Sequence, residues 1–278
     1  MSGTLYIVAT PIGNLEDMTY RAVRILKEVD LVAAEDTRHS LKLLNHFNIS
    51  RPLTSYFDHN QQFKGERILQ ALRLGKSVAL ISDAGTPCIS DPGYNLVRDA
   101  VAEGIPVIPV PGACAAIAAL SGSGLPSDSF TFAGFPPARQ GKRRAFLSGL
   151  TGLPGTLVLY EAPHRLEETL QDIRETMGER QVVVARELSK IYEEFLRGPV
   201  SDVIAAAAGG KARGEIVVLI APGEAPPEEV EALDTLLERL MDQEGLSVKD
   251  AARKAAEITG VSRSEAYTEA LRLKNNAQ

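Results

Sequence analysis

The stretch VALISDAGTPCISDPG, Val78 to Gly93, sets four apolar residues directly before a loop with two glycines, two prolines and two aspartates. An apolar run of this length without polar alternation reads as a strand buried on both faces, as inside a parallel sheet. Gly and Pro then stop the strand and shape a turn. The same grammar recurs along the chain. Leu5–Ala9 precedes Thr10-Pro-Ile-Gly-Asn14, Leu31–Ala34 precedes Glu35-Asp-Thr-Arg-His39, and Val107–Val110 precedes Pro111-Gly-Ala-Cys-Ala-Ala116. Further on, Thr156–Tyr160 runs into Glu161-Ala-Pro-His-Arg165, Val182–Ala185 runs into Arg186-Glu-Leu-Ser-Lys190, and Glu215–Ile220 is a last strand candidate.

Between these runs the spacing turns helical. Thr19 to Val29 carries Ala22, Val23, Ile25, Leu26 and Val29 at intervals that line one helix face. Alternating strands and helices predict an α/β fold with crossover connections, largely parallel sheets and helices on both faces. Gly, Ser and Pro gather at Gly122-Ser-Gly-Leu-Pro126 and at Ala221-Pro-Gly-Glu-Ala-Pro-Pro227. These breaks predict an N-terminal α/β domain over 1–122, a C-terminal α/β domain over 123–224 and a helical extension over 225–278. The extension opens with an acidic helical stretch, Glu228 to Glu244. Ser247–Ile258 and Arg263–Lys274 then read as helices around the turn Thr259-Gly-Val-Ser262. From Ser247 onward six Lys/Arg face four Asp/Glu. Such a pair fits a helix-turn-helix or a small helical cap.

The chain has 278 residues, 44% hydrophobic and 24% charged, with a formal net charge of −6. A plain nucleic-acid coat protein is usually basic, so that class is disfavoured, while an enzyme with a local basic patch is not. No apolar run reaches the ~20 residues of a membrane span, and no basic segment followed by an apolar one opens the chain. Cys88 and Cys114, the two cysteines, make neither a disulfide framework nor a metal cluster. A cytoplasmic location is expected.

Chemically loaded clusters thus follow strands in both halves, where open α/β sheets bind ligands. This predicts a ligand held between two domains. The first loop lacks GxGxxG and the lysine of a phosphate loop, so it suits a ligand that is not a polyphosphate. Pro111-Gly112 before an Ala-rich helix permits close approach of a ligand or of another domain. Glu35 and Asp36 with Arg38 and His39 fit an active site or an ion-paired helix start. His164, Arg165, Arg186 and Lys190, with the run Arg139-Gln-Gly-Lys-Arg-Arg144, fit contacts to an anionic substrate or a solvated surface.

In order, TPIGNLEDMTYRA, AAEDTRHS, LISDAGTPCISDPG, PGACAAIAAL, AGFPP, YEAPHR, ARELSK and KARGEIVVLI resemble the tetrapyrrole (corrin/porphyrin) methylase superfamily, and within it the ribosomal RNA branch. The resemblance covers about Leu5 to Ala221, with the helical tail as an extension. It implies two α/β domains with S-adenosylmethionine in the cleft between them, commonly a homodimer. It also implies 2′-O-methylation of a cytidine ribose in the decoding region of 16S rRNA, on the small ribosomal subunit or its RNA, with no membrane partner. Where corrin-modifying relatives carry a Gly-Asp-Pro type loop, this chain has Ser82-Asp83-Ala84-Gly85-Thr86-Pro87, which favours the RNA branch. By motif, Ile12, Gly13, Asp83, Ala84, Gly85, Thr86, Cys114, Ala115, Tyr160, Leu188, Glu215 and Ile216 are implied cofactor contacts, several through the main chain.

Methyl transfer from a sulfonium requires the attacking oxygen, methyl carbon and sulfur in line. A base for the hydroxyl proton must come within hydrogen-bond reach. Candidates are Glu35, Asp36, His39, Asp58, His59, Glu161 and Glu187, with Asp36 and Glu161 placed first as catalytic residues. Arg38, Arg143, Arg144, His164, Arg165, Arg186 and Lys190 are the candidate RNA contacts. Asp83 could supply charge or only loop geometry, and Asp91 before Pro92 reads as a turn starter. Two other functions are weighed: methylation of a small tetrapyrrole or corrin, and non-catalytic RNA binding.

Overall fold

The computed structural model describes residues 2–57, 61–208, 214–223 and 232–276. Five short strands build the first sheet: β1 (Leu5–Val8), β2 (Leu31–Ala34), β3 (Leu53–Ser55), β4 (Val78–Ile81) and β5 (Val107–Val110). All pair in parallel, in the order β3-β2-β4-β1-β5. Every residue of β4 is buried, as its unbroken apolar run requires for a strand covered on both faces.

Helices α1 (Tyr20–Glu28) and α2 (Thr37–His46) cover one face. Ala22, Ile25, Leu26 and Leu44 pack there with Val8, Val32 and Ile81. Helices α3 (Gln61–Arg73) and α4 (Tyr94–Ala102) cover the other, where Ile68, Leu72 and Leu96 pack with Leu5, Leu80 and Ala33. Thr19 caps α1 by accepting from the Ala22 amide at 3.1 Å, replacing one of the bonds missing in a first turn. β1 and β4 are neighbours, yet their chains leave to opposite faces. A crevice opens at such a switch point, beyond the strand ends.

Helix α5 (Ala115–Ser123) carries the chain to the second sheet, and the expected 122/123 boundary falls at its end. That sheet comprises β6 (Phe130–Gly134), β7 (Thr156–Glu161), β8 (Gln181–Arg186), β9 (Glu194–Pro199) and β10 (Ile216–Ile220), in the order β6-β7-β10-β8-β9. It corrects the expectation of largely parallel sheets. β6 and β7 pair in parallel, but β10 is antiparallel to β7 and β8, and β8 to β9. The cause is the short reversal between β8 and β9, which turns the last two strands around. Helices α6 (Gln140–Leu150), α7 (Leu166–Met177) and α8 (Val200–Ala207) complete this half. One sheet face packs on Leu147, Leu170, Ile173 and Val203, the other on Ala116, Ala119 and Leu120 of α5.

Residues 1–223 form one compact unit and 224–278 a second. The second holds α9 (Leu233–Asp242), α10 (Val248–Thr259) and α11 (Arg263–Asn276). Ser247 caps α10 through a bond from the Asp250 amide, and Gly260 ends it in the left-handed region at φ 74°, where glycine bears no Cβ penalty. The core of this unit joins Leu236, Leu237 and Leu240 to alanines 251, 252, 255, 256, 266 and 270. Small side chains let the helix axes come close. No helix among the described residues is long and apolar enough to cross a membrane.

Candidate active site

The loops after β1 and β4 are stitched together across the crevice. Thr10 and Gly85 exchange backbone bonds of 2.8 and 3.0 Å, and the Thr10 hydroxyl donates to the Ser82 carbonyl at 3.1 Å. The Thr86 hydroxyl donates to the Ala113 carbonyl at 3.1 Å, adding the loop after β5. Gly85 lies at φ 81°, with Ile12 Cγ2 3.4 Å from where its Cβ would be. Asp83 Oδ1 accepts from the Asp36 amide at 3.1 Å, tying the end of β4 to the end of β2.

The second sheet presents three strand ends to this crevice. Because β10 runs backwards, its first residue, Ile216, pairs with Glu161 at the end of β7 and with Arg186 at the end of β8. Glu215 is thereby set beside residues far away in sequence. Tyr160 accepts from the Ala116 amide at 3.2 Å and lies edge-on to Phe132 and Phe135, with centroids 4.9 and 5.5 Å apart. Burial, then the neighbouring Cys114, pushes its phenol above the ordinary range. Ile12, Cys114, Ala115, Leu188 and Tyr160 share one apolar cluster. Gly13 meets the β8–β9 turn so closely that a Cβ would lie 2.6 Å from Lys190 Cγ. A pocket of about 550 Å³ opens along Ile12, Gly112, Cys114 and Leu188, within the size range of small-molecule sites. Amide-rich turns, small residues and apolar walls with carboxylates nearby fit a ligand that joins flat apolar surface to a positive centre.

The first-placed carboxylates have other tasks. Glu161 is buried. Its oxygens accept from the Thr169 hydroxyl at 2.5 Å and the Ala162 amide at 2.7 Å, and it pairs with Arg165 at 2.5 Å. This carboxylate fastens the YEAPHR turn and leaves no open approach for a ribose hydroxyl, which corrects its assignment as a base. Asp36 caps α2 through the Arg38 amide at 2.8 Å and pairs with the Arg38 guanidinium at 2.8 Å. Those bonds lower its carboxyl to about 2, too weak for proton abstraction near neutrality. Glu187 pairs with Lys190 at 3.0 Å, and His39 is exposed on α2. Asp58 and His59 lie outside the described residues.

The basic candidates divide. Arg38 is open, at 89% side-chain exposure, and His164 is exposed on the turn after β7. Arg186 pairs with Glu194. Arg143 is fully buried and spends its donors on Asp172 at 2.7 Å, Glu168 at 3.1 Å and the Ala138 carbonyl at 3.2 Å. It cannot reach a phosphate, which corrects that assignment. Its position four residues before the buried Leu147 was the signal of an inward face. Arg144 shares Asp172 at 2.7 Å and also pairs with Glu175 at 2.6 Å. Phe132 and Phe135, the aromatic neighbours of Tyr160, were not among the residues singled out from the sequence.

Residues 4–204 match the model of the tetrapyrrole (corrin/porphyrin) methylases, and residues 226–274 match the RsmI C-terminal HTH domain. A ribosomal RNA small subunit methyltransferase I from Pseudomonas aeruginosa is 51% identical, with 97% of each chain covered. One from Escherichia coli O157:H7 is 48% identical over 97% of this chain and 95% of its own. Among solved structures, cobalt precorrin-4 methyltransferase CbiF aligns at TM-score 0.60 and 17% identity, covering 78% of this chain and 94% of its own. Uroporphyrin-III C-methyl transferase from Thermus thermophilus, complexed with S-adenyl homocysteine, aligns at 0.54 and 21% identity, covering 79% and 97%. The tetrapyrrole enzymes are spanned nearly whole while about a fifth of this chain is left over, and the C-terminal helical unit has its own match among the RNA enzymes. The chain belongs to the tetrapyrrole (corrin/porphyrin) methylase family and, within it, to the ribosomal RNA small subunit methyltransferases I.

Proposed function

We propose that the chain methylates the 2′-hydroxyl of a cytidine ribose in the decoding region of 16S rRNA, with S-adenosylmethionine as donor. The observation that carries this reading is the end-to-end likeness to small-subunit rRNA methyltransferases, helical unit included. The donor supplies a methyl group activated by its sulfonium. Ile12, Gly13, Asp83, Ala84, Gly85, Thr86, Cys114, Ala115, Tyr160, Leu188, Glu215 and Ile216 would hold it. Ile216 is buried within β10, so it would act through its backbone. The Tyr160–Cys114–Leu188 cluster offers an apolar wall, while Glu35, Asp83 and Glu215 give the crevice a negative field that suits a cation. Arg38, Arg144, Arg165, Arg186 and Lys190, each held in an ion pair, together with His164 would position RNA phosphates. The reading extends to a homodimer acting in the cytoplasm. Incubating the protein with small ribosomal subunits and radiolabelled donor, then mapping the product, tests it. Label is expected on one ribose; label on a base, on protein or nowhere would overturn it.

A further inference from the structure

We propose that Phe135 receives the base of the nucleotide being methylated, and that Arg139 and Lys142, with His164, grip the phosphates beside it. The inference rests on the function proposed above and gives the AGFPP motif, Ala133 to Pro137, a task.

The end of β6 breaks the strand's alternation and so aims Phe135. Phe132 packs with the cluster around Tyr160, and Ala133 packs on the opposite face of the sheet. In a regular strand Phe135 would follow Ala133 to that opposite face. The register against β7 instead shifts between Phe132 and Gly134. Gly134 lies at φ 67°, which strains a residue with a Cβ. A bulge of this kind re-aims the side chain beside it. Phe135 is thereby turned back to Tyr160, edge-on, with ring centroids 5.5 Å apart. Yet 49% of the residue stays exposed. Pro136, which is buried, and Pro137 stiffen the chain that follows. Arg165 Nη1 donates to the Pro136 carbonyl at 3.3 Å and fastens the loop. A half-bare aromatic ring is thus held ready against the crevice wall, where covering it costs little further ordering.

Unpaired cations flank this loop. Arg139 stands at the N-terminal end of α6 and Lys142 on its first turn, three residues apart and so on one side of the helix. The bond from Arg165 joins the loop to the turn that bears His164. All three side chains are exposed. Among the described residues none of the three has a hydrogen bond or an ion pair, whereas Arg38, Arg144, Arg165, Arg186 and Lys190 are all paired. On a chain of net charge −6, a local cluster of free positive charge suits an anionic polymer. The aromatic ring narrows the choice to RNA with an unstacked base. A ribose that enters the crevice takes its base out of the RNA stack, and unstacked RNA bases rest on aromatic side chains. Phe135, leaning on Tyr160, offers that base a replacement for the neighbour it has lost. The cations fix the flanking backbone without reading sequence.

The test compares wild type with Phe135→Ala, Phe135→Leu, Phe135→Trp and a double variant, Arg139→Ala with Lys142→Ala. In single-turnover methylation at limiting small-subunit concentration, Phe135→Ala and Phe135→Leu are each expected to lose roughly tenfold, the scale of one lost stack. Phe135→Trp should stay within about threefold of wild type, because an indole also stacks. S-adenosylmethionine affinity by calorimetry should change less than about threefold in every Phe135 variant. In the double variant, small-subunit affinity should fall less steeply with salt, its log–log slope flattening by about 1.4 for two phosphate contacts on a single strand. Equal rates for Phe135→Leu and Phe135→Trp, or a donor affinity that falls as far as the rate does, would make the ring a mere buttress for Tyr160 and overturn the base assignment. An unchanged salt slope would overturn the phosphate grip. A wild type that methylates no RNA would overturn the RNA reading and take the whole proposal with it.

Discussion

Glu161 and Asp36 occupy similar strand-end positions and show how surroundings set a carboxylate's task. Glu161 is buried and bonded to Thr169, Ala162 and Arg165. Removing one member of a buried pair typically costs ~3–5 kcal/mol because the other is left uncompensated. Glu161→Gln is therefore expected to lose about 3 kcal/mol in urea unfolding, with activity falling only as the folded fraction does. Asp36 is a cap, and asparagine caps a helix about as well. Asp36→Asn should keep single-turnover methylation within about threefold of wild type, which a required base could not do. Its carboxyl is lowered in the fold from 3.8 to about 2. The stability it confers is present above pH 3.8 and is lost as pH falls toward 2. The acid limb of the melting profile should flatten in Asp36→Asn. The motif positions of both residues were legible in the sequence. Their hydrogen-bond partners were not, since Thr169 joins Glu161 only after α7 folds back on β7.

At the scale of elements, burial on both faces made strands easy to read. β4 and β10 are continuous apolar runs, and both are central. The strands that left no such run, β3, β6 and β9, lie at sheet edges and are only partly buried. An edge strand needs fewer apolar residues, so LTS, FTFAG and EFLRGP carry little periodic signal. Direction was illegible for a different reason: β10 inserts between two strands already joined by α7, and no local pattern reports a skipped neighbour. The α6–α7 pair supplies a prediction of its own. Asp172 is pushed up by burial, but Arg144 and Arg143 outweigh this and hold it below its ordinary value. Arg143→Ala takes away the buried partner of that carboxylate and leaves it to Arg144 and Gln140, and about 3 kcal/mol should be lost in urea unfolding. Affinity of the refolded fraction for small subunits should not change, since the guanidinium never meets solvent.

At the scale of the molecule, the chain forms two compact units, 1–223 and 224–278. A variant lacking residues 224–278 is expected to bind S-adenosylmethionine within about threefold of the full chain by calorimetry, because the crevice lies wholly in the first unit. Its methylation of small subunits should fall at least tenfold if the unit that matches the HTH domain engages the RNA. The central place of β10 has a further consequence, for the order of events during synthesis. Every strand of the first sheet lies before residue 111, whereas β7 and β8 become hydrogen-bonded neighbours of a common strand only once residues 216–220 exist. Pairings so distant along the chain form late. If Tyr160, Leu188 and Glu215 hold the methyl donor as proposed, a nascent polypeptide can complete its first half early yet gains that grip only once the three are drawn together. On that assignment, activity would be withheld until synthesis has passed the last strand.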